Sequence, residues 1–389
     1  MVSFHTAKDE EIKKGLTTDI YFKRTRDILR EKGVRKKVVA EFTLHTMKWD
    51  WVVFVGVEEL VNLLSGLPVD LYCLPEGTIF TPFSKNGVPL PVAIIEGFYD
   101  DFAVFETPCL GCICQASGIA SKAARMRLKA WDKYIVSFGV RRMHPAISPM
   151  IDRAAYIGGC DAVSGISGAK LIEEEPQGTM PHALLITMGE EEGWRAYDEV
   201  MEPTVSRVAL IDTFDDEKFA AIHSAETLER LDSVRLDTPS SRKGDFADLI
   251  REVRWELDIR GYRNVKIFIS GGINEDTIET LAKQPVDGFG IGTSISNAPT
   301  LDFSMDIVAI NGIPFAKRGR FSGRKNIYRG ESPLEYYIYP EGGSVKEHLK
   351  LMTVKYLENG KPVEKPRSAK DIRKYVMEQL SMIKNEKKL

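Results

Sequence analysis

The chain has 389 residues, 43% hydrophobic and 28% charged, so it can bury a large core, and disorder, collagen and coiled coil are excluded as its main architecture. Its 53 Lys and Arg nearly balance 56 Asp and Glu for a formal net charge of −3, which is not the electrostatic footprint of a nucleic-acid binder. The expected partners are small molecules and copies of the same chain, with no nucleic acid and no membrane.

Met1 to Gly15 mixes Lys8, Asp9, Glu10, Glu11, Lys13 and Lys14 with few apolar residues and offers no hydrophobic region for a secretory signal. No apolar run approaches the roughly 18 residues of a membrane span. The cysteines (Cys73, Cys109, Cys112, Cys114, Cys160) are odd in number and confined to the first half of the chain. That is poor material for a disulfide framework, so a reducing cytoplasm is the expected compartment.

From about residue 20 to 110 the pattern is strand-rich. Glu41–Met47 and Trp51–Val55 are β-branched and aromatic, Val57–Ser65 has helical periodicity, and Asp70–Phe80 and Pro91–Glu106 are divided by Gly and Pro turns. Gln115–Trp131, rich in Ala with interleaved Lys and Arg, predicts a helix leaving this unit. Short apolar strands then alternate with helices: Tyr134–Val140, Asp161–Ser164, Val208–Asp212, Val234–Asp237, Lys266–Ser270 and Gly288–Gly292, with helices at Pro145–Ile157, Glu217–Leu231, Asp245–Gly261 and Glu275–Gln284. Such alternation implies βαβ units and a parallel sheet. Polar residues recur at the C-terminal strand ends, where a barrel places its active site, so an α/β barrel fits better than an open sheet. Strands return at Met305–Ile310 and Tyr336–Tyr339, and the tail from Gly343 carries a net charge of about +6 and a helix over Ala369–Lys384. Its charge reads as a solvated face. The fold class is therefore α/β: an N-terminal α/β sandwich over 1–114, an irregular, incomplete α/β barrel over 115–300, a return to the first domain over 301–342 and a small basic C-terminal extension over 343–389.

The last two barrel strands end in Ser270-Gly271-Gly272-Ile273-Asn274 and Gly290-Ile291-Gly292-Thr293-Ser294. Glycine lets the backbone approach an anion, and free N–H groups at helix starts bind phosphate, so two such turns on adjacent strands suit a phosphomonoester. Simple tight turns are the alternative. Upstream, Ile211-Asp212-Thr213 and Leu236-Asp237-Thr238 end apolar strands with carboxylates, suited to a sugar hydroxyl, a divalent metal or a developing cation. Either could instead cap the next helix, but Asp215 and Asp216 are placed to do that after the first of these strands, which frees Asp212. Phe138-Gly139-Val140-Arg141-Arg142 closes the first barrel strand with two guanidinium groups, at least one suited to an anionic ligand. Gly178-Thr179-Met180-Pro181-His182 sets a histidine just inside a Gly-Thr turn, where a structural role is the commoner one. Cys109, Cys112 and Cys114 lack a Cys/His pair at zinc spacing, and Lys170 follows Gly165-Ile166-Ser167-Gly168 in an expected helix and not at a strand end.

Taken together these motifs resemble the nicotinate phosphoribosyltransferase family, part of the type II phosphoribosyltransferases that also contain the quinolinate enzyme. The likeness runs from about Thr18 to Arg329 through Thr18-Asp19-Ile20-Tyr21-Phe22, Phe138 to Arg142, Gly178-Thr179 with His182, Ile211 to Asp215, Arg235-Leu236-Asp237, Ser270-Gly271 and Gly290 to Thr293. The resemblance implies transfer of phosphoribosyl from phosphoribosyl pyrophosphate to nicotinate in NAD salvage. It implies that Tyr21, from a neighbouring subunit of a homodimer or higher homo-oligomer, stacks on the pyridine ring. Phe138, Gly139, Arg141, Gly178, Thr179 and Arg235 would surround the nicotinate, and Ser270, Gly271, Gly272, Gly292 and Thr293 would cradle the 5′-phosphate. Asp212 and Asp237 would serve ribose and Mg²⁺, and His182 matches a histidine phosphorylated in members driven by ATP.

The sequence departs from the commoner family pattern at Ser164-Gly165-Ile166-Ser167-Gly168, at His182-Ala183, and at Thr238 to Asp245, which replaces a short Ser-Gly-Asp turn. These changes put ATP coupling in question. The quinolinate enzyme is the nearest rival, because Arg141, Arg142, His144 and Arg235 could serve a second carboxylate, although that family's Arg-Lys-Thr run is missing from the first strand. A phosphosugar aldolase-type barrel using Lys170, and a non-catalytic ligand sensor, are remoter alternatives.

Overall fold

The structure, a computed structural model, describes residues 4–45 and 48–386. It divides into two compact units, one formed by Met1–Ser121 with Pro299–Leu389 and the other by Lys122–Ala298. The expected junction at residues 114 and 115 falls inside a single helix, Glu106–Lys129. That helix starts earlier than its Ala-rich stretch because Cys109, Ile113 and Ala116 bury as small apolar groups in the first unit.

The first unit is built on a seven-stranded sheet in the order Ile313–Pro314, Phe303–Ile310, Lys37–Leu44, Pro91–Phe98, Val69–Cys73, Val354–Glu358, Lys361–Pro362. Every pairing in it is antiparallel. Val38, Ala40, Phe42 and Leu44 alternate along Lys37–Leu44 and enter one core, with the helix Val57–Leu64 contributing Val57, Leu60 and Leu64. On the other face Glu41 is buried and holds Lys325 Nζ at 2.9 Å. Of the strand expected over Glu41–Met47, Thr46 and Met47 lie outside the described residues.

Three expectations for this unit are corrected. The stretch after residue 20 begins with a helix, Ile20–Glu31, in which no residue is buried. Phe22 and Leu29 lie on one half-buried side of it among charged residues, and surface pairs such as Lys23 with Asp27 at 2.6 Å support it. The tail's charge does lie on a solvated face, but the tail is built into the first unit and is not a separate extension. Val354–Glu358 pairs with Val69–Cys73 inside the main sheet, and the helix Ala369–Glu386 buries Ile372, Val376, Leu380 and Ile383. Its charges occupy the opposite face, and buried Gln379 accepts from Ile79 N–H at 3.0 Å and donates to Gly77 O at 2.9 Å. Finally, one helical stretch, Tyr99–Lys129, is long and apolar enough to cross a membrane, with 61% of its most apolar window buried inside the fold. That burial is what a core helix shows.

The second unit is a parallel six-stranded sheet in the order Ala162–Val163, Tyr134–Ser137, Gly288–Ile291, Lys266–Ile269, Ser233–Leu236, Val208–Leu210. Numbered along the chain this order is 2-1-6-5-4-3, so the second and third strands lie at opposite edges and no ladder joins them into a closed barrel among the described residues. The connection between these two strands carries three helices, Ile166–Leu171, His182–Met188 and Glu190–Val200. The strands are shorter than the apolar runs suggested, because the polar strand-end residues have already left the ladder. The helices Glu217–Thr227 and Phe246–Ile259 start at Asp216 and Asp245, whose side chains accept from Lys218 N–H at 3.0 Å and Ala247 N–H at 3.0 Å.

Candidate active site

With all strands parallel, the register sets which residues emerge together. Leu210 lies beside Arg235, Leu236 beside Ile269, Ile269 beside Phe289 and Ile291 beside Ser137. The residues that follow, Asp212, Asp237, Ser270, Gly292 and Phe138, therefore leave the sheet at one end. Helix capping by Asp216 and Asp245 leaves Asp212 and Asp237 for other work.

Arg235 is the centre of this end. Its Nη1 donates to Thr179 Oγ1 at 2.6 Å, its Nε to Ser270 Oγ at 3.0 Å, and its Nη2 lies 3.4 Å from Asp237 Oδ2. Ser270 Oγ donates in turn to Asp237 Oδ1 at 2.6 Å. One guanidinium thus binds two strand ends and the Gly178-Thr179 turn, as a planar fork allows and an ammonium does not. The face of Arg235 lies 5.4 Å from the centre of the Phe138 ring. Burial lowers its proton affinity, the carboxylates of Asp237 and Asp212 oppose that, and the charge of Arg141 adds to it. Arg141 is therefore near enough for electrostatic repulsion, while its own side chain is exposed.

The glycines in the sixth strand make room for this arrangement. A Cβ at Gly290 would come within 2.4 Å of the Phe138 ring, and one at Gly288 within 2.8 Å of the Phe268 ring. A Cβ at Gly139 would meet Ser296 Cβ at 2.5 Å, so the turn after the first strand packs directly on the helix Thr293–Ser296. A half-open cleft of about 770 Å³ runs from Phe138, Gly178 and Thr179 to Asp161, Asp232 and Asp287 at the opposite strand ends.

His182 begins its helix, and its Nε2 is 3.1 Å from Asp212 Oδ2. Asp212 is almost fully buried, and its Oδ1 has no hydrogen-bond partner among the described residues. Both oxygens of Asp237 are engaged, so Asp212 has the oxygen left for a ligand. No group of three or more acidic, His or Cys residues capable of holding a metal ion occurs among the described residues. Mg²⁺ commonly binds through one or two carboxylates plus substrate oxygens, and this pair fits that use.

Residues 19–117 match the family model described as the N-terminal domain of quinolinate phosphoribosyl transferase, and residues 119–306 match its C-terminal domain. The crystal structure of a nicotinate-nucleotide pyrophosphorylase from Pyrococcus furiosus is 49% identical, with a TM-score of 0.94 over 98% of this chain and 99% of that one. The chain belongs to the type II phosphoribosyltransferases. Among relatives of this phosphoribosyltransferase, a nicotinate phosphoribosyltransferase of Mycobacterium tuberculosis is 32% identical over 305 residues, covering 75% of this chain and 63% of that protein. A second from the same organism is 29% identical over 310 residues, covering 74% and 66%. The chain thus spans about two thirds of the length of these curated relatives. The human nicotinic acid phosphoribosyltransferase shares the fold, with a TM-score of 0.77 at 19% identity over 94% of each chain.

Of the residues singled out in the phosphoribosyltransferase sequence, the structure brings together Phe138, Thr179, Arg235, Asp237 and Ser270 by direct contact, with His182 on Asp212 beside them. Gly271 and Gly272 follow Ser270 in left-handed conformations, φ 78° and 73°. Gly292 and Thr293 follow the neighbouring strand, and Gly139 packs there. Tyr21 is not in this cluster. It belongs to the first unit, 57% exposed on the helix Ile20–Glu31, with its hydroxyl 3.4 Å from Asp19 Oδ2. Lys170 is exposed, and burial raises the thiols of Cys109, Cys112 and Cys114, that of Cys112 to about 12. His144 caps a short helical turn by accepting from Ala146 N–H at 3.2 Å.

Sequence reasoning missed two residues. Lys243 Nζ donates to Gly271 O from a loop that was read only as a family departure. Asp152 is fully buried against Gly165 and Gly168, and burial raises its carboxyl to about 7 although Gly165 N–H and Ser137 Oγ favour its charged form. Lys243 had a signal in the Arg242-Lys243 pair two residues before a helix cap. Asp152 had none, because its burial is a tertiary event.

Proposed function

We propose that this chain is a nicotinate phosphoribosyltransferase, which transfers phosphoribosyl from phosphoribosyl pyrophosphate to nicotinate, giving nicotinate mononucleotide and pyrophosphate in NAD salvage. The observation that carries the reading is the hydrogen-bonded chain Thr179, Arg235, Ser270, Asp237 under the Phe138 ring. It joins a cation for an aromatic carboxylate to an acid for a ribose and a turn for a phosphate.

Arg235 and the exposed Arg141 would hold the nicotinate carboxylate, with Gly139 and Gly178 giving the backbone close approach and Phe138 flanking the ring. Ser270, Gly271, Gly272, Gly292 and Thr293 would cradle the 5′-phosphate. Asp237, fixed by Ser270 and Arg235, would accept hydrogen bonds from ribose hydroxyls and stabilise positive charge as it develops at C1. Because the pyridine nitrogen itself attacks C1, no side-chain nucleophile is needed. Mg²⁺ would be held by Asp212, with Asp237 beside it, and when bound it neutralises the pyrophosphate leaving group. His182 Nε2 faces Asp212, which leaves Nδ1 as the ring nitrogen for phosphorylation where ATP drives the reaction. Tyr21, exposed in one copy, would stack on the pyridine bound in another, so the smallest active unit would be a dimer.

The second reading is the decarboxylating quinolinate enzyme, favoured by the relative at 49% identity and its name. A second carboxylate needs a further cation. Of the candidates, Arg142 is exposed as Arg141 is, while the Nδ1 of His144 is already an acceptor in its turn. The deciding experiment measures pyrophosphate release from phosphoribosyl pyrophosphate and Mg²⁺ with nicotinate, nicotinamide or quinolinate, each with and without ATP. Release with nicotinate is expected. Release only with quinolinate, together with CO₂, would assign the second reading, and no release with any base would refute both.

A further inference from the structure

The loop after the strand Ser233–Leu236 brings a lysine back to the strand ends. Lys243 Nζ donates to the carbonyl of Gly271, in the middle of the Ser270–Gly272 turn. An ammonium has three donors. This is the one hydrogen bond Lys243 Nζ makes among the described residues, and it has no ion pair there. Its proton affinity is lowered by burial and raised by the carboxylates of Asp237 and Asp212, so the group is partly desolvated and lies within electrostatic range of both acids. A desolvated cation with unused donors recovers its lost hydration when an anion supplies oxygen acceptors.

The adjoining backbone suits such an anion. Gly271 is closed in, since a Cβ there would lie 3.1 Å from Asp237 Oδ1, whereas at Gly272 nothing lies within 4 Å of the Cβ position. Lys243 and Gly272 line one cleft of about 360 Å³. Of the acids on that cleft, Asp245 is occupied as a helix cap, accepting from Ala247 N–H and Asp248 N–H at 3.0 and 3.2 Å, and Asp276 is exposed to solvent.

We propose that Lys243 is a further phosphate ligand of the substrate, exchanging the Gly271 carbonyl for an oxygen of phosphoribosyl pyrophosphate. This rests on the transferase reading above. The chemistry recognised is a phosphate oxyanion, which the 5′-phosphate and the pyrophosphate group both offer.

The test is calorimetric titration of the full chain and of Lys243→Ala and Lys243→Arg with phosphoribosyl pyrophosphate, ribose 5-phosphate and pyrophosphate, each with Mg²⁺, and with nicotinate. Lys243→Ala is expected to weaken phosphoribosyl pyrophosphate by about tenfold or more, with Lys243→Arg keeping most of the affinity and nicotinate binding unchanged. The fragment that weakens in parallel identifies the phosphate: ribose 5-phosphate for the 5′ group, pyrophosphate for the leaving group. Unchanged affinity for all three phosphates in Lys243→Ala would overturn the proposal. So would loss of nicotinate affinity together with a lowered unfolding temperature, which would make Lys243 a prop for the Gly271 turn. Wild-type protein that binds these phosphates yet releases no pyrophosphate with any base would refute the transferase reading alone, and the titrations would still decide Lys243. Wild-type protein that binds none of them would refute both.

Discussion

Arg235→Lys keeps the charge at the centre of the site and removes the fork. The guanidinium donates to Thr179 at 2.6 Å and Ser270 at 3.0 Å and faces Asp237 at 3.4 Å, with 14% of its side chain exposed. Hydrogen bonds to charged groups contribute roughly 1.5–3 kcal/mol each, and so little exposure leaves little room for solvent screening. A lysine can satisfy one of the two hydroxyls and leaves the other to a weaker partner, so about 2–3 kcal/mol should be lost. For a domain of this size that is a fall of roughly 4–12 °C in its unfolding midpoint. Nicotinate KM should rise together with the loss if the same fork holds the carboxylate, as proposed above. Calorimetric unfolding of wild type, Arg235→Lys, Ser270→Ala and the double variant forms a cycle, with a coupling of about 1 kcal/mol or more expected for residues in one network. Additivity within about 0.3 kcal/mol, with an unchanged nicotinate KM, would refute the idea that one guanidinium organises this end of the sheet.

Asp152 is raised from 3.8 to about 7 by burial, so the folded state holds its proton more tightly than the unfolded chain. Stability from this group is full at low pH and is lost as pH rises from the unfolded value through about 7, a loss of roughly 2–3 kcal/mol between pH 5 and 8. Urea unfolding should show that slope in wild type and a flatter one in Asp152→Asn; equal slopes would remove Asp152 as its source. Gly139→Ala sets a Cβ 2.5 Å from Ser296 Cβ and should destabilise by about 1–3 kcal/mol through overpacking, measurable as a lowered thermal midpoint; an unchanged midpoint would mean the turn yields freely. Tyr21→Ala, at a site 57% exposed, should leave the unfolding temperature unchanged while raising nicotinate KM. Mixing it with Asp237→Asn under subunit exchange should restore activity, and a mixture no more active than its components would refute a shared site.

The strand-helix alternation and the residues following each strand were legible because parallel strands buried on both faces read as apolar runs, and whatever ends such a run must leave the sheet. Ser270, Asp237 and Asp212 were found that way. The fork of Arg235 was not, since its reach to Thr179 depends on how a connection with three helices folds back. The helix Ile20–Glu31 was missed because its apolar side chains are few, only half-buried and set among charged residues, and the tail's place in the first unit was missed because its charge hides the apolar face that its helix buries. Lys243 and Asp152 acquire their character only from neighbours distant in sequence, Gly271 for the first and Gly165 for the second.

The first unit's sheet draws on both ends of the chain, with Phe303–Ile310 against Lys37–Leu44 and Val354–Glu358 against Val69–Cys73. During synthesis the strands before residue 122 must therefore wait while the whole of Lys122–Ala298 is made. Their apolar edges, Val38 to Leu44 above all, stay open to any other nascent chain over that interval. Expression yield should accordingly depend on elongation speed and chaperone supply more than on the equilibrium stability of the finished protein, and a permuted gene that places residues 299–389 ahead of residue 1 would shorten the exposure.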